Sequence, residues 1–179
     1  MGSADSAPGA SWSDFVVSAC RSDSGQRALA AWRRSHSIVR YSAEKRRIVN
    51  DLLLRHQDSR TLIFAADNDT AYSVAREHLI QPITCDIGKK ERSRALQCFS
   101  IGKLRILVSA RVLNEGIDVP SADVAIIVGG SQGSREYVQR VGRVLRPSEG
   151  KKAIVYDLVT RDTFEVRRAD EHRRALAPR

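Results

Sequence analysis

Cysteine is scarce. Cys20, Cys85 and Cys98 are odd in number and far apart, with no CxxC pair and no His at a metal-ligand spacing from any of them. That pattern argues against a disulfide framework and a zinc site, and reduced, buried thiols in a cytosolic protein are the expectation. Long apolar runs are also lacking. None approaches the roughly 20 residues that a membrane span needs, so no membrane partner is expected. The first residues have no basic stretch leading into an apolar core, so they do not read as a signal peptide. Residues 1–11 are mostly Gly, Ala, Ser and Pro and read as a flexible tail or a cloning scar. A phosphate cradle is missing as well. The pairs Gly88-Lys89, Gly102-Lys103 and Gly150-Lys151 lack the earlier Gly and the following Ser or Thr of a GxxxxGK(S/T) loop. No acidic string of the DExH kind follows an apolar strand.

What the chain does have is a basic balance. Thirty Lys and Arg stand against 21 Asp and Glu, a formal net charge of +9. Such a surface favours a polyanion, nucleic acid above all, although a solvated basic face has the same composition. A length of 179 residues suits one well-buried domain with little to spare.

Hydrophobic periodicity divides the chain. Residues 12–36 read as weakly helical, with Ala28, Leu29, Ala31 and Trp32 as an apolar face and Gly25 as an interruption. Ser42 is an N-cap candidate for a helix to about His56, with Ile48, Val49, Leu52 and Leu53 at helical spacing. Residues 60–65 form a buried strand. An amphipathic helix over 68–79 follows, then a short strand at 82–84. A helix over 89–101 turns Ala95, Leu96 and Phe99 inward and stops at Gly102. Strands at 104–109 and 125–128, a helix over 134–145, a strand at 152–158 and a charged helix over 163–176 complete the reading.

Short apolar strands alternating with amphipathic helices imply parallel βαβ units. The expected fold class is therefore α/β: a parallel sheet with helices on both faces, in three layers. Ligands in such sheets bind beyond the carboxyl ends of the strands. Chemistry is therefore sought at residues 66–69, 85–89, 110–120, 129–135 and 159–162.

Two of these regions carry patterns. In Asn114-Glu115-Gly116-Ile117-Asp118-Val119-Pro120, Gly116 allows close backbone approach and Asp118 offers an acceptor suited to a ribose hydroxyl. Taken alone, the string suits a plain tight loop equally well. In Gln139-Arg140-Val141-Gly142-Arg143-Val144-Leu145-Arg146-Pro147, Arg143 and Arg146 are three apart and share a helix face, with Gln139 one turn before Arg143. Two convergent guanidiniums match a multiply charged phosphate, and a cation at a γ-phosphate stabilises the transition state of its transfer. A basic surface helix is the bland alternative, and the length of the string argues against it.

These strings resemble the motifs of superfamily 2 helicases. QRVGRVLRP is similar to motif VI, VLNEGIDVPSADVAIIV to motif V and its following strand, and RTLIFAADN to motif IV. Their order and spacing are those of the second RecA-like domain. The stretch SQGSREYVQRVGRVLRPSEGKKAIVYDLV resembles the XPB-like DNA helicases of archaea and bacteria. The resemblance covers residues 35–168.

The resemblance implies a RecA-like, P-loop-NTPase-type fold over residues 58–160. Residues 12–57 would form a helical lead-in from an inter-domain connection, and residues 161–179 read as a charged helix or tail, a solvated helix being preferred to a partner-docking arm. Arg143 and Arg146 would be catalytic arginine fingers, and Gln139, Gly116 and Asp118 would also border the nucleotide. ATP and Mg2+ are the implied cofactors, with the Mg2+ ligands on a first RecA-like domain outside this chain. The implied partners are DNA, that first domain, and a repair nuclease or transcription factor. Ser109 and Ala110 would lie near the DNA backbone. Many members carry Thr where Ala110 stands, so a hydroxyl contact there would fall to Ser109, for which a local hydrogen bond at the strand end is the commoner alternative. Arg92 would touch DNA or pair with a nearby acid, the structural role preferred. Asp67 and Asn68 would border the DNA track or cap the next helix, the cap being preferred.

The implied function is the C-terminal motor half of an ATP-dependent DNA helicase or translocase in DNA repair, moving 3′ to 5′. The chain alone would be inactive, for want of the phosphate cradle and the DExH carboxylates. The implied location is cytoplasmic and nucleoid-associated in a prokaryote, nuclear in a eukaryote. Two alternatives stand beside it. One is a stand-alone RecA-like adaptor that binds DNA or protein, which would have no use for both fingers. The other is the motor of a restriction-type nuclease, for which no PD…ExK-like string is present.

Overall fold

The computed structural model describes residues 11–110, 122–129, 137–138, 141–142 and 153–176. The chain divides into two compact units, residues 1–39 and 40–179. In the first, α1 (Trp12–Ala19) is opened by a capping box between Ser11 and Asp14. The second helix, α2, runs over Asp23–Arg40. The break falls at residues 20–22, not at Gly25. Ser22 ends the turn by accepting a hydrogen bond from the Gly25 amide at 3.1 Å. Gly25 sits inside the first turn of α2, where a Cβ would lie 2.2 Å from the Ala19 carbonyl oxygen. Glycine is therefore required by close approach of α1, not by a helix end. Of the expected apolar face, only Leu29 is buried.

The second unit is built on a five-stranded sheet: β1 (Thr61–Phe64), β2 (Gln81–Ile83), β3 (Ile106–Ser109), β4 (Val124–Ile127) and β5 (Ile154–Asp157). Its order is β2-β3-β1-β4-β5 and every pairing is parallel. Helices α3 (Ala43–Arg55), α4 (Asn68–His78), α5 (Lys89–Ser100) and α6 (Phe164–Leu176) accompany it. Tyr137, Val138, Val141 and Gly142 are helical, and the rest of the helix expected at 134–145 lies outside the described residues.

Alternation along the strands builds two cores. Leu62 and Phe64 of β1 point to one face, against Ala95, Leu96 and Phe99 of α5 and against Tyr137 and Val141. Ile63, with Ala65 just past the strand, points to the other, against Val49 and Leu52 of α3 and Ala71 and Val74 of α4. Both faces of the sheet are therefore covered, as near-continuous apolar strands require. This is the three-layer α/β fold expected from the sequence. α3 falls in the expected lead-in segment, yet Val49 and Leu52 belong to this core. Cys20 and Cys85 fall in turns outside the cores and are exposed, not buried as expected.

Caps set the helix starts. Ser42 accepts from the Lys45 amide to begin α3, and Asp67 accepts from the Thr70 amide at 2.8 Å to begin α4. The cap preferred for 67–68 is thus present and belongs to Asp67. Gly102 takes φ +76 just after α5, the left-handed stop expected of it. The charged helix α6 is not solvated all round, because Glu165, Ala169 and His172 are buried. Their spacing of four and three residues makes one inward face on a helix whose other residues are mostly charged.

Candidate functional site

Parallel pairing lines up the strand ends. Ile83, Ser109, Phe64, Ile127 and Asp157 are register partners across the sheet, in that order. The carboxyl ends of the strands therefore form one edge, beyond which chemistry was expected.

On the β2-β3-β1 side, short polar contacts tie the loops together. Asn68 donates through Nδ2 to Asp86 at 2.9 Å and to the Cys85 sulfur at 3.0 Å. Tyr72 and Thr84 share a 2.8 Å hydroxyl bond. Arg40 donates to the capping carboxylate of Asp67 at 2.7 Å. Arg92 is half-buried and donates to the carbonyls of Ile87, at 3.1 Å, and Thr84, at 3.4 Å. It braces the loop after β2, and its Nε is buried without a partner among the described residues. Ser109 is fully buried, and its hydroxyl donates to the Ala110 carbonyl at 2.6 Å. Ala110 is buried too, with its amide on the Ile83 carbonyl.

At β1 and β4 the chain departs towards opposite edges of the sheet, the arrangement that opens a ligand crevice in other parallel sheets. Here Lys45 fills it. Its Nζ donates to Glu165 Oε2 at 2.7 Å, to Glu165 Oε1 and the Val128 carbonyl at 2.8 Å, and to the Arg40 carbonyl at 3.5 Å. Glu165 also accepts from the Thr160 amide at 2.9 Å. Burial pulls the Lys45 pKa down, against the hydrogen bond and charge of Glu165. The pair is buried and its donors and acceptors are matched, and it ties α3 and α6 to the end of β4.

Beside it, Asp157 ends β5 and His172 of α6 faces it, with Nδ1 to Oδ2 at 3.8 Å. That distance is electrostatic contact, too long for a hydrogen bond. Burial raises the Asp157 pKa and lowers that of His172, each outweighing the attraction between them. The Tyr137 ring stacks on the imidazole, with centroids 4.1 Å apart and planes 13° from parallel. Burial pushes the Tyr137 hydroxyl up to about 12, with the Asp157 charge adding to it.

The structure therefore brings Asn68, Arg92, Ser109 and Ala110 to one side of the edge. Gly116, Asp118, Gln139, Arg143 and Arg146 lie outside the described residues. Sequence reasoning overlooked Lys45, Glu165, Asp157, His172 and Tyr137. The signal was present: Lys45 precedes Val49 and Leu52 at the same four-then-three spacing that joins Glu165, Ala169 and His172, so each helix carries a charge on its apolar stripe. Among the described residues no group of three or more His, Cys, Asp or Glu is arranged to hold a metal, and no helix is long and apolar enough to cross a membrane.

Comparison with known proteins gives the fold and the motifs a context. Residues 44–148 match the helicase conserved C-terminal domain family. The chain is 33% identical over 153 residues to the DNA 3'-5' translocase XPB2 of Sulfurisphaera tokodaii, covering 86% of this chain and 35% of that protein. It is 38% identical over 138 residues to the DNA 3'-5' helicase XPB of Kineococcus radiotolerans, covering 76% and 25%. The corresponding protein of Mycobacterium tuberculosis is 36% identical over 132 residues, covering 73% and 24%. The chain thus spans a quarter to a third of the length of these relatives. Among solved structures, the C-terminal domain of the DEAD-box protein Dbp5 superposes with a TM-score of 0.61 at 23% identity, over 72% of this chain and 77% of that one. The DEAD-box protein SrmB of E. coli gives 0.62 at 20% identity, over 74% and 78%. These two likenesses concern the fold alone.

Proposed function

The chain belongs to the helicase conserved C-terminal domain family, and from that premise we propose that it is the second motor half of an XPB-like, ATP-dependent DNA helicase or translocase. The supporting observation is that one family match over residues 44–148 runs through RTLIFAADN, NEGIDVP and QRVGRVLRP in order. On this reading ATP binds in a cleft between this domain and a first RecA-like domain that supplies the phosphate cradle. Gly116 and Asp118 border the nucleotide, Asp118 at the ribose. Gln139 senses it, and Arg143 and Arg146 reach the γ-phosphate, where their charge stabilises the transferring group. Mg2+ is assigned no ligand in this chain, and the chain alone does not hydrolyse ATP.

DNA lies along the β2-β3-β1 side of the edge. Asn68 and Arg92 stand nearest to it, while buried Ser109 and Ala110 fix the strand end beneath. The net charge of +9 supports a grip on phosphates that weakens with salt. Cleft closure on ATP and opening after hydrolysis step the domains along the strand, 3′ to 5′, in DNA repair. A repair nuclease or transcription factor is a further partner on this reading, in the cytoplasm and on the nucleoid of a prokaryote or in the nucleus of a eukaryote.

The test is ATP hydrolysis and displacement of a third strand from duplex DNA by the full-length gene product. DNA-stimulated hydrolysis with displacement in the 3′ to 5′ sense is expected. A product that binds DNA without hydrolysing ATP would instead be a RecA-like adaptor.

A further inference from the structure

Residues 20–40 hold five Arg and one Asp, so four of the chain's nine net positive charges fall within one short stretch. Arg40, at the end of α2, is bonded to Asp67. Arg27, Arg33 and Arg34 are exposed, and none of them makes an ion pair or a side-chain hydrogen bond among the described residues. Asp23, in the first turn, is the one acid of α2. The positions three and four residues from Arg33 and Arg34 are Leu29, Ala30, Ala31, His36, Ser37 and Ile38. A solvated helix offsets its arginines with acids at that spacing, and here there are none.

Helical periodicity gathers the three cations on the outer half of α2. Arg27 and Arg34 lie two turns apart on one stripe, and Arg33 stands about 100° round from Arg34. The opposite half faces α1. Leu29 is buried there, and a Cβ at Gly25 would meet the Ala19 carbonyl oxygen. Seven residues of helix put Arg27 and Arg34 about 10 Å apart along the axis, the length of about three nucleotides on one DNA strand. Unpaired guanidiniums on long stems suit phosphate oxygens at such a spacing. An anionic bilayer offers phosphates as well, but a helix lying in its surface must sink its apolar face. On α2 that face is the one α1 approaches.

We propose that Arg27, Arg33 and Arg34 form a DNA contact of their own, a stripe on the helical lead-in that grips the phosphate backbone. The proposal rests on the DNA-motor reading and adds residues of the first unit to the grip assigned to Asn68 and Arg92. Contacts of this kind hold the duplex without reading its sequence.

Salt-dependent binding of a short fluorescent DNA duplex by the chain itself tests the stripe. Replacing all three arginines by Gln keeps helix propensity close to that of Arg. That variant should bind about tenfold or more weakly at about 0.1 M salt, and its slope of log affinity against log salt should be shallower by about two to three. Replacing the same three by Lys keeps the charges and should keep the parental slope to within about one. A control removes equal charge elsewhere, with Gln at Arg161, Arg167 and Arg174, and should change the slope by less than about one. If the triple Gln variant unfolds, Arg27→Gln with Arg34→Gln decides, with an expected fall in slope of about two.

A parental slope in the α2 variant overturns the proposal, and so does an equal fall in the control, which would leave net charge as the whole effect. Vesicles containing phosphatidylserine are the second probe. Vesicle binding that the α2 variant abolishes, with duplex binding left at the parental value, overturns the proposal in favour of a membrane. The motor reading is judged apart, by ATP hydrolysis in the full-length protein. Hydrolysis lost in Arg146→Ala with a parental slope in the α2 variant removes the stripe and leaves the motor. A slope that depends on the stripe in a protein without ATPase leaves the stripe and removes the motor.

Discussion

Lys45 and Glu165, 120 residues apart in sequence, meet with Nζ 2.7 Å from Oε2 in the buried crevice at the end of β4. Both charges are shielded from water and both are fully hydrogen-bonded. A pair of this kind contributes less through its attraction than it costs when half of it is removed.

Lys45→Met therefore leaves a buried, unpaired carboxylate and should destabilise the second unit by about 3–5 kcal/mol. Lys45→Met together with Glu165→Leu leaves no stranded charge and should recover most of that loss. Urea unfolding of the two single variants and the double variant measures it. A double variant no more stable than Lys45→Met would contradict the crevice geometry.

Two histidines, His172 and the half-buried His78, set an acid limit. Burial lowers the pKa of both His172 and His78 below 6.5. The unfolded chain therefore takes up protons on them first, and their contribution to stability is lost as pH falls below 6.5. Asp157 has the opposite sense, since burial raises its pKa above 3.8 and its contribution declines as pH climbs past that value. His78 has Glu77 as its local charge, whose attraction only partly offsets burial, and its Nε2 is buried without a partner among the described residues. The urea midpoint should fall between about pH 7.5 and about pH 5.5, and His78→Gln should flatten the fall. Equal falls in both proteins would contradict this.

Much of the architecture was legible because apolar periodicity and capping obey local rules. RTLIFA and LRILVS announced buried parallel strands, and Ser42 and Gly102 announced a start and a stop that the structure contains. The break between α1 and α2 was misplaced at Gly25 because a lone glycine signals either a helix end or a close approach. Only the fold reveals that the Ala19 carbonyl sits where a side chain would be. The inward face of α6 was hidden for a different reason. Its anchors are a carboxylate and an imidazole, which hydrophobic patterning counts as surface, and their partners Lys45 and Asp157 are distant in sequence. At the candidate site, the motif strings suggest nucleotide contacts only through resemblance to a family, and those residues lie outside the described ones. The network of Lys45, Glu165, Asp157 and His172 belongs to tertiary packing and was not visible in any one string.

The most direct measurement is the DNA-stimulated ATPase rate of the full-length protein with Arg146→Ala and Arg146→Lys. An arginine finger contributes about a thousandfold or more to phosphoryl transfer, and a lysine cannot reproduce its planar fork. Arg146→Ala is expected to abolish hydrolysis and Arg146→Lys to recover little of it, with DNA binding surviving in both. Hydrolysis at the parental rate in Arg146→Ala would contradict the motor reading.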